Sequence, residues 1–301
     1  MEKNQEQSKM VNGVFYLLNP SDNQYYPVED QSEKFSTLNK NAVKSQEEAE
    51  FEREFEKRRT LKRMGNGSSD EEGPVPGGVG YGSFYTDEYK SRYQTGTVIA
   101  VDIICPQYAG GNVDTWLYLT ETNRTAKGVE ALIYYLGASV LGFKVFDWAR
   151  DDHWQVTLSA HELADYLTTK TIQGSNRQVL SLQNQTFIVN TSQGKRWRNQ
   201  VFLFNYKNNS YSLVYAYEYE ATEMEQKAEW VGAWGPIVET FQDSYQNTNP
   251  LGFSYTYMQE RDAMDTWTPF HLLTNDISYI RNDGKGFQNE FLLPNHSFAV
   301  H

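Results

Sequence analysis

Between residues 211 and 219 every second position is large and apolar or aromatic. Tyr211, Leu213, Tyr215, Tyr217 and Tyr219 interleave with smaller or polar residues. A period of two is the period of a strand and is incompatible with one face of a helix. Four tyrosines and a leucine are therefore expected on one face, with Ser212, Val214, Ala216, Glu218 and Glu220 on the other. Just before this run, Val201-Phe202-Leu203-Phe204 is apolar at every position, as in a central strand covered on both sides. Lys207-Asn208-Asn209-Ser210 separates the two runs and supplies a turn, so the pair predicts a hairpin.

The same texture extends over most of the chain. Aromatic residues make up 15% of the sequence, and aromatic and β-branched residues fit a pleated, half-buried surface. Further strands are expected at 97–104, 115–120, 130–136, 143–148, 154–158, 252–258 and 287–292. A second hairpin is expected from 178–182 and 186–189, joined at Gln183-Asn184-Gln185. His161 to Leu167 reads as a short connecting helix. Many short strands punctuated by turns point to an all-β fold. The expected form is an antiparallel β-sandwich or jelly roll, lectin-like, over residues 84–301.

The first part of the chain differs. Residues 1–44 are polar, with an edge strand expected at 13–18. Residues 45–64 are expected to form a charged α-helix appended to the sandwich. Ser45 and Glu48 make a capping box, and acidic residues precede basic ones in the order that suits the helix dipole. Its apolar face is thin, with Phe51 and Phe55 one turn apart. Such a helix either rests lightly on the domain or docks a protein partner. Residues 65–83 read as a Gly/Ser/Pro linker.

Charge and composition narrow the partners. The formal charge is −12 with an isoelectric point near 5.0, which repels a phosphate backbone and argues against nucleic acid. No apolar stretch has the length of a membrane span. The polar start, Met1-Glu2-Lys3-Asn4, shows no secretory leader, so the expected location is cytoplasmic or reached by non-classical release. The single cysteine, Cys105, follows an apolar run, where an inert buried thiol is expected, and it excludes an intrachain disulfide.

Site candidates fall into three groups. The first is a ligand platform: Trp230 and Trp234 bracket glycines, Tyr245 and Asn247 follow, and Trp267 and His271 lie in a similar stretch. Aromatic faces with convergent polar groups suit a sugar ring and its hydroxyls, while the plainer reading places the tryptophans in the core. The second group is acidic. Glu218 and Glu220 share one face of a strand with roots about 7 Å apart, near the separation at which paired carboxylates cleave glycosidic bonds. Glu239 with Asp243 is the alternative pair, and a solvated outer face is the plainer reading for both. The third group, Asp151, Asp152 and His153, is a weak metal candidate that reads more simply as a polar turn. No cofactor is implied; calcium stays open.

Several segments also carry a resemblance. Gly13-Val14-Phe15-Tyr16-Leu17-Leu18-Asn19-Pro20, Glu130-Ala131-Leu132-Ile133-Tyr134-Tyr135, Phe146-Asp147-Trp148, Trp234-Gly235-Pro236-Ile237-Val238-Glu239-Thr240-Phe241 and Ser278-Tyr279-Ile280-Arg281-Asn282-Asp283-Gly284 resemble motifs of a small family of uncharacterised, mostly exported bacterial proteins. The resemblance implies a lectin-like (concanavalin-type) β-sandwich and an extracellular location, and it carries no site residues. The functional expectation is a carbohydrate-binding protein without catalytic activity, its partner a glycan or polysaccharide. The alternatives are a glycan-cleaving enzyme with paired carboxylates, or a structural or interaction protein.

Overall fold

A computed structural model describes residues 8–19, 22–35, 79–85, 94–104, 114–121, 128–136, 139–147, 150, 154–172 and 174–221. Beyond these it describes the strands at 237–242, 252–262, 267–269, 277–282, 289–293 and 297–300. The described strands are β1 (Ser8–Val11), β2 (Val14–Asn19), β3 (Gln24–Asp30), β4 (Val79–Tyr85), β5 (Gln94–Ile104), β6 (Asp114–Glu121), β7 (Val129–Leu136), β8 (Ser139–Asp147), β9 (Trp154–Ser159) and β10 (Leu167–Ile172). They continue with β11 (Ser175–Thr191), β12 (Gly194–Asn205), β13 (Ser210–Glu220), β14 (Ile237–Gln242), β15 (Gly252–Asp262), β16 (Trp267–Pro269), β17 (Ile277–Asn282), β18 (Asn289–Leu293) and β19 (Ser297–Val300).

The described residues are mostly β-strand with almost no helix, consistent with an all-β fold, as the alternation and the aromatic content suggest. A larger sheet runs β1-β2-β3-β13-β12-β11-β5-β15-β19-β18, with β10 on β11 and β16 on β15. A smaller sheet runs β17-β4-β14-β6-β7-β8-β9. Pairing is antiparallel except where β3 joins β13 in parallel, Tyr211 opposite Val28. The appended helix expected at 45–64 lies outside the described residues.

The two sheets meet on an apolar surface. From the smaller sheet, Val129, Ala131, Ile133, Phe143, Val145, Val156 and Leu158 are buried. Val101, Leu182, Leu203 and Val201 are buried in the larger sheet. Polar bonds cross between them at Asp147, the last residue of β8. Its carboxylate accepts the Tyr215 hydroxyl at 2.7 Å and the Asn199 amide at 3.1 Å. Thr186 donates to Asn199 at 2.9 Å, so all four side chains form one satisfied buried chain. Burial, and next the negative charge of Asp147, pushes the Tyr215 hydroxyl far above its usual range and keeps it a neutral donor.

Asp147 and its partners identify the inner face of the larger sheet. The opposite, outer face carries Phe202, Phe204, Tyr211 and Leu213. The N-terminal strands pack there: Leu17 joins this cluster, and the Tyr26 ring meets Phe204 edge-on at 4.9 Å. The strand expected at 13–18 is β2, which lies between β1 and β3 rather than at the sheet edge.

Three local expectations are corrected. Gln183-Asn184-Gln185 is no turn, because β11 runs unbroken from Ser175 to Thr191; the triplet contains no glycine or proline to break the ladder. The five-residue stripe from 211 to 219 does not share one face. A bulge shifts the register, so that Val201 opposes Tyr215 while Phe202 opposes Leu213. One extra residue, Val214, inverts the alternation. Tyr211 and Leu213 therefore face outward with Phe204 and Phe202, and Tyr215, Tyr217 and Tyr219 lie on the inner face. Finally, the last part of the stretch read as linker, Val79–Ser83, belongs to β4.

Candidate functional site

Four polar side chains converge on the outer face of the larger sheet, each delivered by a different element. Asp102 of β5 stands directly opposite Ser181 of β11 in the antiparallel register. Lys170 reaches them from β10, and Tyr206 from the turn between β12 and β13. That turn is tightly specified. The Asn205 side chain accepts the backbone N–H groups of Lys207 and Asn208, each at 3.0 Å. Asn209 takes the left-handed conformation at φ 51°, which asparagine tolerates better than most residues. The Tyr206 N–H donates to the Asp165 carbonyl at 2.9 Å, tying the turn to the short 3-10 helix Ala164–Tyr166. That helix occupies part of the segment expected to be helical at 161–167.

Hydrogen-bond inventory fixes the direction of the network. Ser181 donates its hydroxyl hydrogen to Oδ1 of Asp102 in a short contact, and Lys170 Nζ donates to Oδ2 at 2.7 Å. Ser181 Oγ also lies 2.6 Å from the Tyr206 hydroxyl. A hydroxyl has a single hydrogen, and that of Ser181 is already committed. Tyr206 must then donate to Ser181, Ser181 to Asp102, and Lys170 to Asp102 from the other side.

The charges follow from the same contacts. Burial alone would lower the Lys170 pKa, but the charge of Asp102 and its hydrogen bond outweigh burial and carry it above the usual lysine value. Lys170 therefore remains an ammonium at neutral pH. Burial, followed by the Asp102 charge, raises the Tyr206 hydroxyl, which stays neutral. The Lys170 side chain is 34% exposed and that of Asp102 12%, so the cluster meets solvent on the lysine side. A hydroxyl aimed at a carboxylate, itself held by a third group, is the arrangement of an activated nucleophile, its base and an orienting residue.

Next along this face of β11 is Gln183, flanked in register by Ala100 on β5 and Phe202 on β12. Neither neighbour offers a polar side chain. Gln183 is 1% exposed, and neither its Nε2 nor its Oε1 has a hydrogen-bond partner. Most buried polar side-chain atoms are satisfied, so such an amide calls for an explanation.

The residues singled out from sequence fare differently. Glu218 and Glu220 do share a face near the end of β13. They stand opposite Arg198 and Arg196, however. Glu218 Oε1 accepts Arg198 Nε at 2.6 Å, and Arg196 Nε lies 3.8 Å from Oε2. Cross-strand ion pairs with Arg198 and Arg196 thus hold the Glu218 carboxylate. Glu239 lies within β14, whereas Asp243 lies outside the described residues, as do Trp230, Trp234, Tyr245, Asn247, His271, Cys105 and the triplet Asp151, Asp152 and His153. Trp267 opens β16 opposite Arg261. Among the described residues no group of three His, Cys, Asp or Glu side chains is placed to hold a metal ion, and no helix is long and apolar enough to cross a membrane. The Ser181 cluster escaped sequence reasoning. Its one signal was Asp102, a charged residue set inside the apolar run from Val98 to Ile104.

No protein-family model and no curated protein matches the sequence. Among solved structures the chain is similar to SCP-B, a member of the eqolisin family of peptidases complexed with the tripeptide Ala-Ile-His. The identity is 6% and the TM-score 0.32, over 74% of this chain and 96% of that one. It is similar also to scytalido-glutamic peptidase with a peptide-based transition-state analogue. There the identity is 7% and the TM-score 0.31, over 74% and 97%. A further structure of that peptidase, with a transition-state analogue inhibitor, gives 7% and 0.31 over 75% and 98%. At these TM-scores the likeness assigns no activity to this chain. The expectation of a non-catalytic carbohydrate-binding protein is nevertheless corrected: these similar structures are peptidases, enzymes rather than lectins.

Proposed function

We propose that this chain is a hydrolytic enzyme of the acyl-transfer class, with Ser181 as nucleophile, Asp102 as proton acceptor and Lys170 as the group that holds Asp102 in place. The observation that carries this reading is the Ser181 hydroxyl, which donates to Asp102 while the same carboxylate is held by Lys170 at 2.7 Å. In the first step Ser181 Oγ attacks the substrate carbonyl carbon and its proton passes to Asp102. The bond to the leaving group then breaks and that proton goes to the leaving amine or alcohol. Water attacks the acyl-serine ester, releases the acid and restores the Ser181 hydroxyl. Tyr206 donates to Ser181 in the resting state and shifts to the oxygen that develops charge. The architecture we propose around this site is a two-layer sandwich of jelly-roll type. The support for it is the polar bridge from Asp147 of the smaller sheet to Asn199 and Tyr215 of the larger one.

The test is turnover of activated esters and peptide anilides by the purified chain, compared with Ser181→Ala and Asp102→Asn. Loss of about a thousandfold or more in kcat/KM for each variant, with the fold retained, is the expected result. Hydrolysis that persists at the full rate in Ser181→Ala overturns the assignment.

A further inference from the structure

Ser181, Gln183 and Gln185 occupy alternate positions of β11 and so lie on one face of it. Two residues of strand span about 7 Å. An extended peptide laid along β11 has the same repeat, and the N–H and C=O of every second residue point the same way. A carboxamide carries a donor and an acceptor side by side. It can therefore donate Nε2–H to the carbonyl and accept the N–H of a single residue in such a peptide. Gln183 has both atoms buried and without a partner, and its strand neighbours in register are Ala100 and Phe202.

Resting on the reading of Ser181 as an acyl-transfer nucleophile, we infer that the substrate is an extended peptide, recognised through its main chain by Gln183. The chemistry discriminates among substrates. A simple ester offers a carbonyl but no N–H, and would leave Gln183 Oε1 unpaired. An unacylated glycan offers hydroxyls but no acyl carbon for Ser181 to attack. A peptide supplies the acyl group at Ser181 and, two residues along, the N–H and C=O that satisfy Gln183. Because Gln183 is 1% exposed, this recognition requires the face above it to open when the peptide binds. Polar groups left unpaired in the free protein and paired in the complex make binding selective for the ligand that pairs them.

Two measurements on the full chain test this. The first compares kcat/KM for N-acetyl-tetra-alanine p-nitroanilide and for p-nitrophenyl acetate in the wild type and Gln183→Leu. The peptide-to-ester ratio is expected to fall about tenfold or more. An unchanged ratio, with Ser181 active, overturns the peptide inference alone. The second reads binding without turnover, by fluorescence anisotropy of a fluorescein-labelled N-acetyl-tetra-alanine amide. Saturable binding, weakened about tenfold or more in Gln183→Leu, supports the inference even if neither probe is hydrolysed, in which case the Ser181 mechanism alone has failed. Absence of saturable binding to the wild type, or equal binding to both proteins, overturns it. The melting temperature serves as a control with its own content. Removing an unsatisfied amide should leave it unchanged or raise it, whereas a structural role for Gln183 requires it to fall.

Discussion

Lys170 Nζ lies 2.7 Å from Oδ2 of Asp102 across 68 residues of sequence, and the contact joins two strands, β10 and β5, that both pair with β11. The pair is only partly buried, so its removal should cost less than the 3–5 kcal/mol of a fully buried ion pair broken on one side. Lys170→Met is expected to lower unfolding stability by about 1–3 kcal/mol in denaturant titration. It should also reduce turnover, because Asp102 loses the contact that orients it. Turnover unchanged in the folded variant would remove Lys170 from the site.

The Asp147 bridge gives a prediction about stability alone. Tyr215→Phe deletes one of the two hydrogen bonds that Asp147 receives from the larger sheet. A bond to a buried charge is worth about 1.5–3 kcal/mol. The loss should appear as a lower denaturation midpoint, with the Ser181 chemistry retained in the folded protein.

Gly96 has a steric role. A β-carbon there would stand 2.5 Å from that of Phe187, its cross-strand partner. Neither backbone can yield cheaply inside paired strands. Gly96→Ala should destabilise by about 1–3 kcal/mol, the usual cost of overpacking, again read from denaturant unfolding.

Much of the architecture was legible because it depends on local patterning. The hairpin of β12 and β13 followed from an apolar run, an asparagine-rich turn and a period of two. The positions of β5, β7 and β9 followed from aromatic and β-branched runs. What failed was whatever depends on pairing. The Val214 bulge inverts the faces of a stripe that looks uniform in sequence, because register is set by the neighbouring strand. Gln183-Asn184-Gln185 looked like a turn because polar triplets usually are exposed; the continuous ladder of β11 overrides that tendency. Asn184, which heads a glycosylation sequon, is fully buried there. The Ser181 cluster was illegible for the same reason. Its members come from β5, β10, β11 and a turn, and no spacing along the chain announces them.

An alkaline prediction follows from Tyr26. Its hydrogen bond to Asp22 at 2.7 Å, assisted by partial burial, pushes the hydroxyl from the ordinary 10.0 up to about 12. The proton is thus bound more tightly in the folded state. The stabilisation is fully present below pH 10 and is lost as pH rises through about 12. Stability should fall over that window, and Tyr26→Phe should make the fall shallower. Ultraviolet titration of the phenolate, wild type against variant, checks the ionisation directly.

The central claim is that Ser181 is an activated hydroxyl, and covalent capture tests it most directly. The folded protein is treated with a fluorophosphonate, digested and mapped by mass spectrometry. The account predicts a single phosphonyl adduct on Ser181, absent after prior denaturation and strongly reduced in Asp102→Asn. No adduct on Ser181 in the folded wild-type protein, or labelling that is indifferent to the Asp102 carboxylate, would contradict it.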